Sequence, residues 1–459
     1  MRPLIYLQSR RTQLKRVIAL SIPAILAEIS SMVMQYIDAA MVGSLGANAS
    51  ASIGLVSTST WLMGGLCIST ATGYSVQAAH LIGAGRESDA RNVFRQGIIT
   101  ALCIGILLCL FGTSISHGLP RWLGGDPLII ADAESYFFIY ACALPAVQMR
   151  QLAGSMLQCS GNMRTPSILN AMMCGFDVIF NWLFIFPDHH LPFGLTIPGA
   201  NMGVAGAALG TTMAEWVTAF LMMYAAAIRS DKLRLTSKGQ WRPTRECSSR
   251  AARIAIPLAF EHTVLCGAQI ASTKIVAPLG TISIAANSLA VTAESLCYMP
   301  GYGIASAATT LVGQSLGARD RDQAREFARL SVGLAVFLMT ITAGLMFLLA
   351  PLVFRILTPD PAVQELGVHV LRIEAFAEPL FAVSIAAAGA MRGAGDTLVP
   401  SILNLASMWG VRITAAALLA PHLGLTGVWI AMCGELCIRG ILFLIRLLRE
   451  KWLNAGFLG

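Results

Sequence analysis

The chain has 459 residues, of which 56% are hydrophobic and 12% are charged, and its mean hydropathy is +0.67. Soluble domains carry about 25% charged residues, so this composition indicates many membrane spans and leaves little room for a soluble domain. The formal net charge is +8, but Lys and Arg lie in short loops between apolar runs. That pattern sets membrane topology and argues against nucleic-acid binding.

The first apolar run, from Val17 to Val42, is long enough to cross a bilayer and too long for the apolar part of a cleavable signal peptide. It carries Asp38, and a charged residue at the centre of a membrane helix costs roughly 2.5–3.5 kcal/mol on insertion scales. Such an acid indicates a functional site. An aspartate near a helix end can also reach the headgroups or form a cap, so the position alone leaves both interpretations open.

Similar apolar runs, each bounded by charges, glycine or proline, follow along the whole chain. The predicted fold class is therefore an all-α integral membrane protein with twelve transmembrane helices. The approximate spans are 17–43, 50–80, 94–117, 130–158, 166–187, 200–228, 252–277, 283–313, 326–354, 364–391, 399–420 and 424–447. An even number of spans places both termini on one membrane face, where Lys and Arg are concentrated. We expect a multi-pass protein of the plasma membrane, which is the inner membrane of a bacterium, with both termini in the cytoplasm.

Neither cysteine nor histidine forms a metal-binding or redox pattern in the sequence. The 11 cysteines include no C-x-x-C pair, and most lie inside apolar runs, so we expect buried thiols rather than disulfides. The run Asp188-His189-His190 places two histidines side by side, an arrangement that converges poorly on a metal ion. The glycine-containing loops lack the Gly-Lys-Ser/Thr ending of a phosphate-binding loop. We therefore expect no metal, no cofactor and no enzymatic activity.

The two halves of the chain repeat each other at a constant offset. Ile22-Pro23 matches Ile256-Pro257, and Asn170 matches Asn404. The positions differ by 234 in both cases (256 minus 22, and 404 minus 170). A duplicated six-helix unit explains the offset, and because each unit has an even number of spans, the two copies share one orientation. We expect them to be related by an axis along the membrane normal.

The only substantial polar segment lies between the two copies. The predicted organisation is an amino-terminal six-helix lobe at 1–228, a basic cytoplasmic linker at 229–251 and a carboxy-terminal six-helix lobe at 252–459. Duplicated bundles with a cavity between them at the membrane midplane are the architecture of alternating-access transporters.

Four motifs extend over nearly the whole chain. They are the run Asp38–Gly46, the paired loops Gly83-Ala-Gly-Arg and Gly317-Ala-Arg-Asp, the paired turns Gly161–Pro166 and Met391–Thr397, and the Ile-Pro start of spans one and seven. Combined with twelve spans and a 6+6 duplication, they resemble the multidrug and toxic compound extrusion (MATE) family of secondary exporters. The resemblance implies two six-helix lobes facing each other in a V. It also implies antiport of a cationic or amphipathic substrate against H⁺ or Na⁺.

The resemblance assigns the site of the amino-terminal lobe to Asp38 on span one and to a polar pair on span five, Asp177 and Asn181. The pair is four residues apart and shares one helix face, so both side chains can touch the same ion. In the family the pair often runs Asn then Asp, whereas here the order is reversed. The alternative is that the pair only forms hydrogen bonds between helices. We hypothesise that Asp38 and Asp177 exchange a cationic substrate for H⁺ or Na⁺, because a carboxylate among apolar helices can hold either near neutral pH.

The carboxy-terminal lobe has its own acid, Glu261, at a position where the family commonly has a glutamate. Another branch of the family has an aspartate on span ten, and the best-aligned position here is Phe381, one turn from Glu378. Glu378 and, on span eight, Glu294 are secondary candidates for coupling.

Lys274, Arg412 and Glu435 are further charged residues within the predicted spans of this lobe. We expect them to form ion pairs inside the lobe, since this is how buried charges are tolerated. Pro23 and Pro257 each remove a backbone hydrogen bond and can kink spans one and seven.

The predicted function is thus a secondary active exporter that extrudes cationic or amphipathic drugs or toxic compounds by alternating access. One alternative is an exporter dedicated to a single endogenous metabolite or toxin on the same fold. The other is a lipid-precursor flippase of related architecture, which usually has more spans and an arginine-rich cavity. We expect a cationic or amphipathic small molecule and membrane lipid as partners, no nucleic acid, and a monomer.

Overall fold

A computed structural model describes residues 2–187, 189–190, 196–197, 199–236 and 239–454. The helices of the first half are α1 (Arg2–Gly43), α2 (Ala47–Gly83), α3 (Glu87–Ile115), the short α4 (Leu119–Trp122), α5 (Pro127–Cys159), α6 (Arg164–Ile185) and α7 (Gly203–Tyr224). An antiparallel pair, β1 (His189–His190) and β2 (Thr196–Ile197), lies between α6 and α7. Asp188, which precedes the two histidines considered for metal binding, lies outside the described residues.

The second half repeats this pattern with two interruptions. Its helices are α8 (Arg245–Val276), α9 (Thr281–Gly317), α10 (Arg321–Leu357), α11 (Pro361–Glu374), α12 (Glu378–Ala394), α13 (Leu398–Ser407) and α14 (Thr414–Leu448). A π-helical segment, Met408–Ile413, connects α13 to α14, and Gly424 inside α14 has a non-helical φ of 59°. Gly424 therefore separates predicted spans eleven and twelve.

Every predicted span coincides with helical structure, which confirms the all-α fold with twelve transmembrane helices. Within the described residues, nine helices are long and apolar enough to cross a membrane, and the longest of them, Leu398–Leu448, contains two spans. The two remaining spans are α9, which is less apolar, and the pair α11 and α12, into which span ten is divided.

The duplication is visible in the backbone conformation. Three turns have a left-handed residue at positions 234 apart in the two halves. The pairs, with their φ angles, are Gly46 (115°) and Gly280 (97°), Gly85 (73°) and Arg319 (61°), and Gly161 (93°) and Gly395 (85°). Glycine adopts this conformation without a steric penalty, whereas Arg319 keeps it in the second half at a cost of about 1–2 kcal/mol. The offset found in the sequence therefore reflects a repeated chain path.

The chain forms two compact units. One comprises Met1–Glu28, Gly83–Gly85 and Ile256–Gly459, and the other comprises Ile29–Ile82 and Arg86–Ala255. The first part of α1 thus packs with the carboxy-terminal half of the chain. The predicted lobe boundaries at 228 and 252 remain a prediction.

The segment predicted as a linker is partly helical, because α8 begins at Arg245. Its described residues are held against α3 by hydrogen bonds. Arg95 Nη2 donates to the Thr236 carbonyl at 2.9 Å, and Gln96 Oε1 accepts from the Thr244 backbone N–H at 2.9 Å. These bonds tie the linker to the unit that contains α3.

Small residues let the helices within each unit approach closely, as is typical of membrane bundles. In one unit a Cβ atom on Gly105 of α3 would lie 2.9 Å from Pro145 Cα of α5. In the other unit a Cβ atom on Gly389 of α12 would lie 2.7 Å from Ala305 Cα of α9. Any side chain at these glycines would push the helices apart.

Candidate functional site

Three of the predicted coupling residues meet between α1 and α6. The amide Nδ2 of Asn181 donates to Asp38 Oδ1 at 2.8 Å and to Asp177 Oδ2 at 3.1 Å. Asp177 is fully buried and Asn181 is 1% exposed, whereas Asp38 is half-buried. The four-residue spacing of Asp177 and Asn181 on α6 directs both side chains at Asp38, as their shared helix face predicts.

The two carboxyl groups also lie within hydrogen-bond reach of each other. Two carboxyl groups can form a hydrogen bond only when one of them carries a proton, because adjacent carboxylates repel. Among the described residues, no Lys, Arg or His forms an ion pair with Asp38 or Asp177. The pair can therefore be neutralised from outside the protein, by a proton or by a cation.

Helix α7 also packs against the group formed by Asp38, Asp177 and Asn181. The side chain of Thr211 lies near the carboxyl group of Asp177. A Cβ atom on the neighbouring Gly210 would overlap Asn181 Oδ1, so only glycine lets α7 approach α6 here. Within the described part of the chain, Asp177 Oδ1 and Asn181 Oδ1 are buried without a hydrogen-bond partner. Both oxygens therefore have no donor among the described residues. Thr211 and Gly210 were not among the residues predicted from the sequence.

A small cavity lies beside this group, between α5 and α7. Its volume is about 30 Å³, and its polar lining includes Tyr136, Thr211 and Glu215. A space of this size accommodates a water molecule. Glu215 itself is paired with Arg150 by two hydrogen bonds, at 2.6 and 3.1 Å. Both residues lie inside predicted spans, but their pairing was not predicted from the sequence.

Glu261 of α8 has a different environment from that of Asp38. Its carboxylate accepts from Ser401 Oγ at 2.8 Å and from Asn404 Nδ2 at 2.7 Å, and Arg392 Nη2 lies 3.5 Å away. Asn404 is the repeat counterpart of Asn170, whose Oδ1 accepts from Arg150 at 3.4 Å. Since Glu261 has an arginine and two neutral donors, its negative charge is already compensated within the protein.

A second group of acids is buried in the carboxy-terminal half. Glu294 of α9, Glu374 of α11 and Glu378 of α12 are 7%, 1% and 0% exposed, respectively, and Glu435 of α14 is fully buried. The carboxyl groups of Glu374 and Glu378 lie within hydrogen-bond reach of each other. The sequence indicated Glu294 and Glu378 as secondary candidates but missed Glu374. Its position four residues before Glu378 in the sequence could have indicated it. In the structure, a break between α11 and α12 separates the two residues.

The expected ion pairs in this half are only partly present. Arg439 Nε lies 3.0 Å from Glu435 Oε1, so Glu435 is paired as predicted. The expectation for Arg412 was wrong, because within the described residues it forms no ion pair and donates to the sulfur of Met432. Lys274 was also predicted wrongly. It is exposed near the end of α8, where its long side chain needs no buried partner.

Phe381 occupies the position that one family branch fills with an aspartate. Its ring packs edge-on against Tyr298 at 5.6 Å, and the guanidinium of Arg439 lies 5.2 Å from its centre. An apolar ring is therefore present here, and the acids Glu378 and Glu374 lie about one and two turns earlier in the chain, respectively. Pro23 and Pro257 lie inside α1 and α8, respectively.

A model of the MatE family matches the chain twice, over residues 23–183 and 257–418. The two matches begin 234 residues apart (257 minus 23), at the prolines of the two Ile-Pro motifs, so they coincide with the duplication. The chain belongs to the MatE family.

Similar proteins cover almost the whole length of this MatE chain. The probable multidrug resistance protein NorM of Thermotoga maritima is 28% identical over 445 residues, which cover 95% of this chain and 93% of NorM. The multidrug resistance protein MdtK of Yersinia pseudotuberculosis is 26% identical over 470 residues, which cover 98% of this chain and 97% of MdtK.

Solved structures show the same fold. A MOP superfamily transporter from Pyrococcus furiosus superposes with a TM-score of 0.88 at 20% identity, covering 96% of this MatE chain and 97% of that protein. The MATE transporter VcmN of Vibrio cholerae, as a point mutant, gives a TM-score of 0.87 at 17% identity, covering 97% and 100% of the two chains. The MatE chain is thus a multi-pass membrane protein with the fold of these transporters.

Proposed function

We propose that this MatE chain is a secondary active exporter that extrudes a cationic or amphipathic small molecule in exchange for H⁺ or Na⁺ by alternating access. The observation that carries the proposal is the pair Asp38 and Asp177, which lies in apolar surroundings with a neutral amide as its bridge and no ion pair to a described residue. The names of the relatives, multidrug resistance proteins, support drugs and toxic compounds over one dedicated metabolite or a lipid precursor.

In the proposed exchange, the coupling ion and the cationic substrate compete for the negative charge of the Asp38 and Asp177 pair. When Asp38 and Asp177 share a proton or hold Na⁺, their site is less attractive to a cationic substrate. Loss of that ion restores the negative charge and the affinity for the substrate. Asn181 remains neutral throughout and holds both carboxyl groups at 2.8 and 3.1 Å from its nitrogen, so the site keeps its shape while its charge changes.

Glu261 and the buried glutamates are proposed as a supporting set in the carboxy-terminal half. The contact with Arg392 already compensates Glu261, so a cation gains less there than at Asp38. Glu294, Glu374, Glu378 and Glu435 together face two guanidinium groups, those of Arg412 and Arg439. Four ionised carboxylates would leave this buried group at a net charge of −2, so we propose that it retains protons during the cycle.

The proposed setting is the plasma membrane, the inner membrane in a bacterium, with both termini in the cytoplasm and the protein acting as a monomer. The distribution of Lys and Arg supports this orientation, because the short loops between the apolar runs carry these residues mainly on one face.

The function is tested by expressing the chain in a host that lacks its own efflux pumps. We expect the host to tolerate several-fold higher concentrations of cationic dyes and fluoroquinolones, and to retain less of a fluorescent cationic dye. Cells that express the Asp38→Asn variant to the same level provide the control. Equal tolerance in cells with and without the wild-type chain would contradict the proposal.

A further inference from the structure

A charged groove lies between α10 and α11. Its volume is about 410 Å³, and its lining includes Arg355, Glu365, His369 and Arg372. The three residues of α11 follow one another at spacings of three and four, so they share one helix face. Within the described part of the chain, neither arginine forms an ion pair with a carboxylate. The lining therefore has two arginines against one acid, Glu365, and keeps a net positive charge.

The duplication supplies an internal comparison for this groove. Arg121 is the repeat counterpart of Arg355, since the two positions differ by 234 (355 minus 121). Arg121 Nη2 lies 3.2 Å from Glu134 Oε1, so this arginine is compensated. The counterpart of Glu134 in the second half is Val368, which lines the groove. The repeat has thus replaced the partner of Arg355 with an apolar residue.

At two more positions, the second half has a basic residue where the first half has an uncharged one. The counterparts of Ser135 and Phe138 in the second half are His369 and Arg372. One half therefore has an ion pair at these positions, and the other has two arginines, a histidine and Glu365, whose counterpart in the first half is Ala131. The corresponding positions of the first half, Ser135 and Phe138, are also helical, so a helix here does not require a histidine or an arginine.

Arg372 has a structural role that accounts for only part of its hydrogen-bonding capacity. Pro351 of α10 has no backbone N–H, which leaves the carbonyl of Phe347 without its usual helical donor. Arg372 Nε donates to this carbonyl at 3.2 Å, and the guanidinium lies 5.1 Å from the centre of the Phe347 ring. A guanidinium has five N–H donors, so four remain, on the two terminal nitrogens, beside the groove.

Exposed apolar side chains continue from the groove along the helices. Leu348 and Leu352 of α10 are 72% and 54% exposed, and Phe376, just after α11, is 72% exposed. Arg372 lies 11 residues after Pro361, which is about 16 Å along a helix. A cation so far along a span is costly unless an anion or water reaches it. Basic pockets between transmembrane helices on the cytoplasmic side bind anionic headgroups, and the same attraction between charges acts at this end of α10.

We propose that this groove binds an anionic phospholipid of the adjacent leaflet. The phosphate of its headgroup contacts Arg355, His369 and Arg372, and its acyl chains lie along Leu348, Leu352 and Phe376. An amphiphile fits the combination of cationic lining and neighbouring apolar surface, whereas free inorganic phosphate would use only the cationic part. This inference does not depend on the proposed export function.

Native mass spectrometry of the full chain in detergent tests the proposal, with phosphatidylglycerol, phosphatidylcholine and inorganic phosphate as separate probes. We expect wild-type protein to retain phosphatidylglycerol in preference to phosphatidylcholine. Arg355→Gln removes an exposed side chain that has no hydrogen bond or ion pair to a described residue. It should weaken phosphatidylglycerol binding by about tenfold or more, the loss typical of a hydrogen-bonded charge. Val368→Glu restores the partner found in the first half, and we expect it to weaken binding similarly.

The matched control is Arg121→Gln, the same change at the repeat counterpart, which should leave phosphatidylglycerol binding unchanged. Equal retention of the two lipids by wild-type protein would overturn the proposal. It would also be overturned if Arg121→Gln reduced binding as much as Arg355→Gln. Full displacement of phosphatidylglycerol by millimolar inorganic phosphate would indicate an anion site without lipid selectivity, which also contradicts it.

Discussion

Asp38→Asn is expected to abolish ion-coupled export and to weaken binding of a cationic substrate by about tenfold or more, the usual effect of losing a hydrogen-bonded charge. Asparagine has nearly the same shape, and its side-chain oxygen can still accept the hydrogen bond from Asn181, which is 2.8 Å long in the wild type. The substitution therefore removes the charge and leaves the packing in place. Fluorescence titration of the purified protein with a cationic dye measures the affinity, and dye efflux from cells measures transport.

Asp132→Asn is the matched control for this experiment. Asp132 is an exposed acid on α5, so the substitution changes the net charge of the protein by the same amount outside the site. We expect it to bind and export the dye as the wild type does. Asp177→Asn should behave like Asp38→Asn, because the two carboxyl groups act as one pair. Wild-type export by either site variant would remove the carboxylate pair from the mechanism.

Arg150→Met is expected to destabilise the protein by about 3–5 kcal/mol, the typical cost of removing one partner of a buried ion pair. Arg150 forms two hydrogen bonds with Glu215, and the two side chains are only 15% and 10% exposed. Without the arginine, the carboxylate of Glu215 stays buried and uncompensated beside the small cavity. The thermal unfolding midpoint of the purified protein in detergent measures the loss.

The double variant Arg150→Met/Glu215→Met should recover most of this stability, because it removes both charges at similar volume. Arg164→Met, at the exposed start of α6, is the control and should leave the midpoint unchanged. If the double variant is as unstable as Arg150→Met alone, the loss of stability comes from the lost packing of the arginine side chain and not from the uncompensated carboxylate of Glu215.

The sequence predicted the helices and their duplication because these depend on long, local patterns. Apolar runs separated by Gly and Pro locate the spans, and the matching of Pro23 with Pro257 is preserved in the backbone turns and in the two family matches. The break that divides span ten was not predicted. Ala375 and Phe376 fit a helix, so nothing local in the sequence marks the turn between Glu374 and Glu378.

The candidate site was predictable only where its members share a helix. Asp177 and Asn181 lie four residues apart, and their contact with Asp38 followed from the family resemblance. Thr211 and Gly210 come from another helix, and their positions depend on how closely α7 packs against α6. The partners of Glu261 were missed for the same reason, since Ser401 and Asn404 lie about 140 residues further along the chain.

Dye transport in vesicles under separately imposed Na⁺ and pH gradients tests the central claim most directly. For wild-type protein, we expect one of the two gradients to drive accumulation of a cationic dye without ATP, and dye movement in turn to drive flux of that ion. Asp38→Asn should lose both fluxes, while Glu261→Gln, whose carboxylate is compensated by Arg392, should retain part of them. Dye transport that persists without either gradient, or coupled flux that survives in Asp38→Asn, would contradict an exporter coupled at the Asp38 and Asp177 pair.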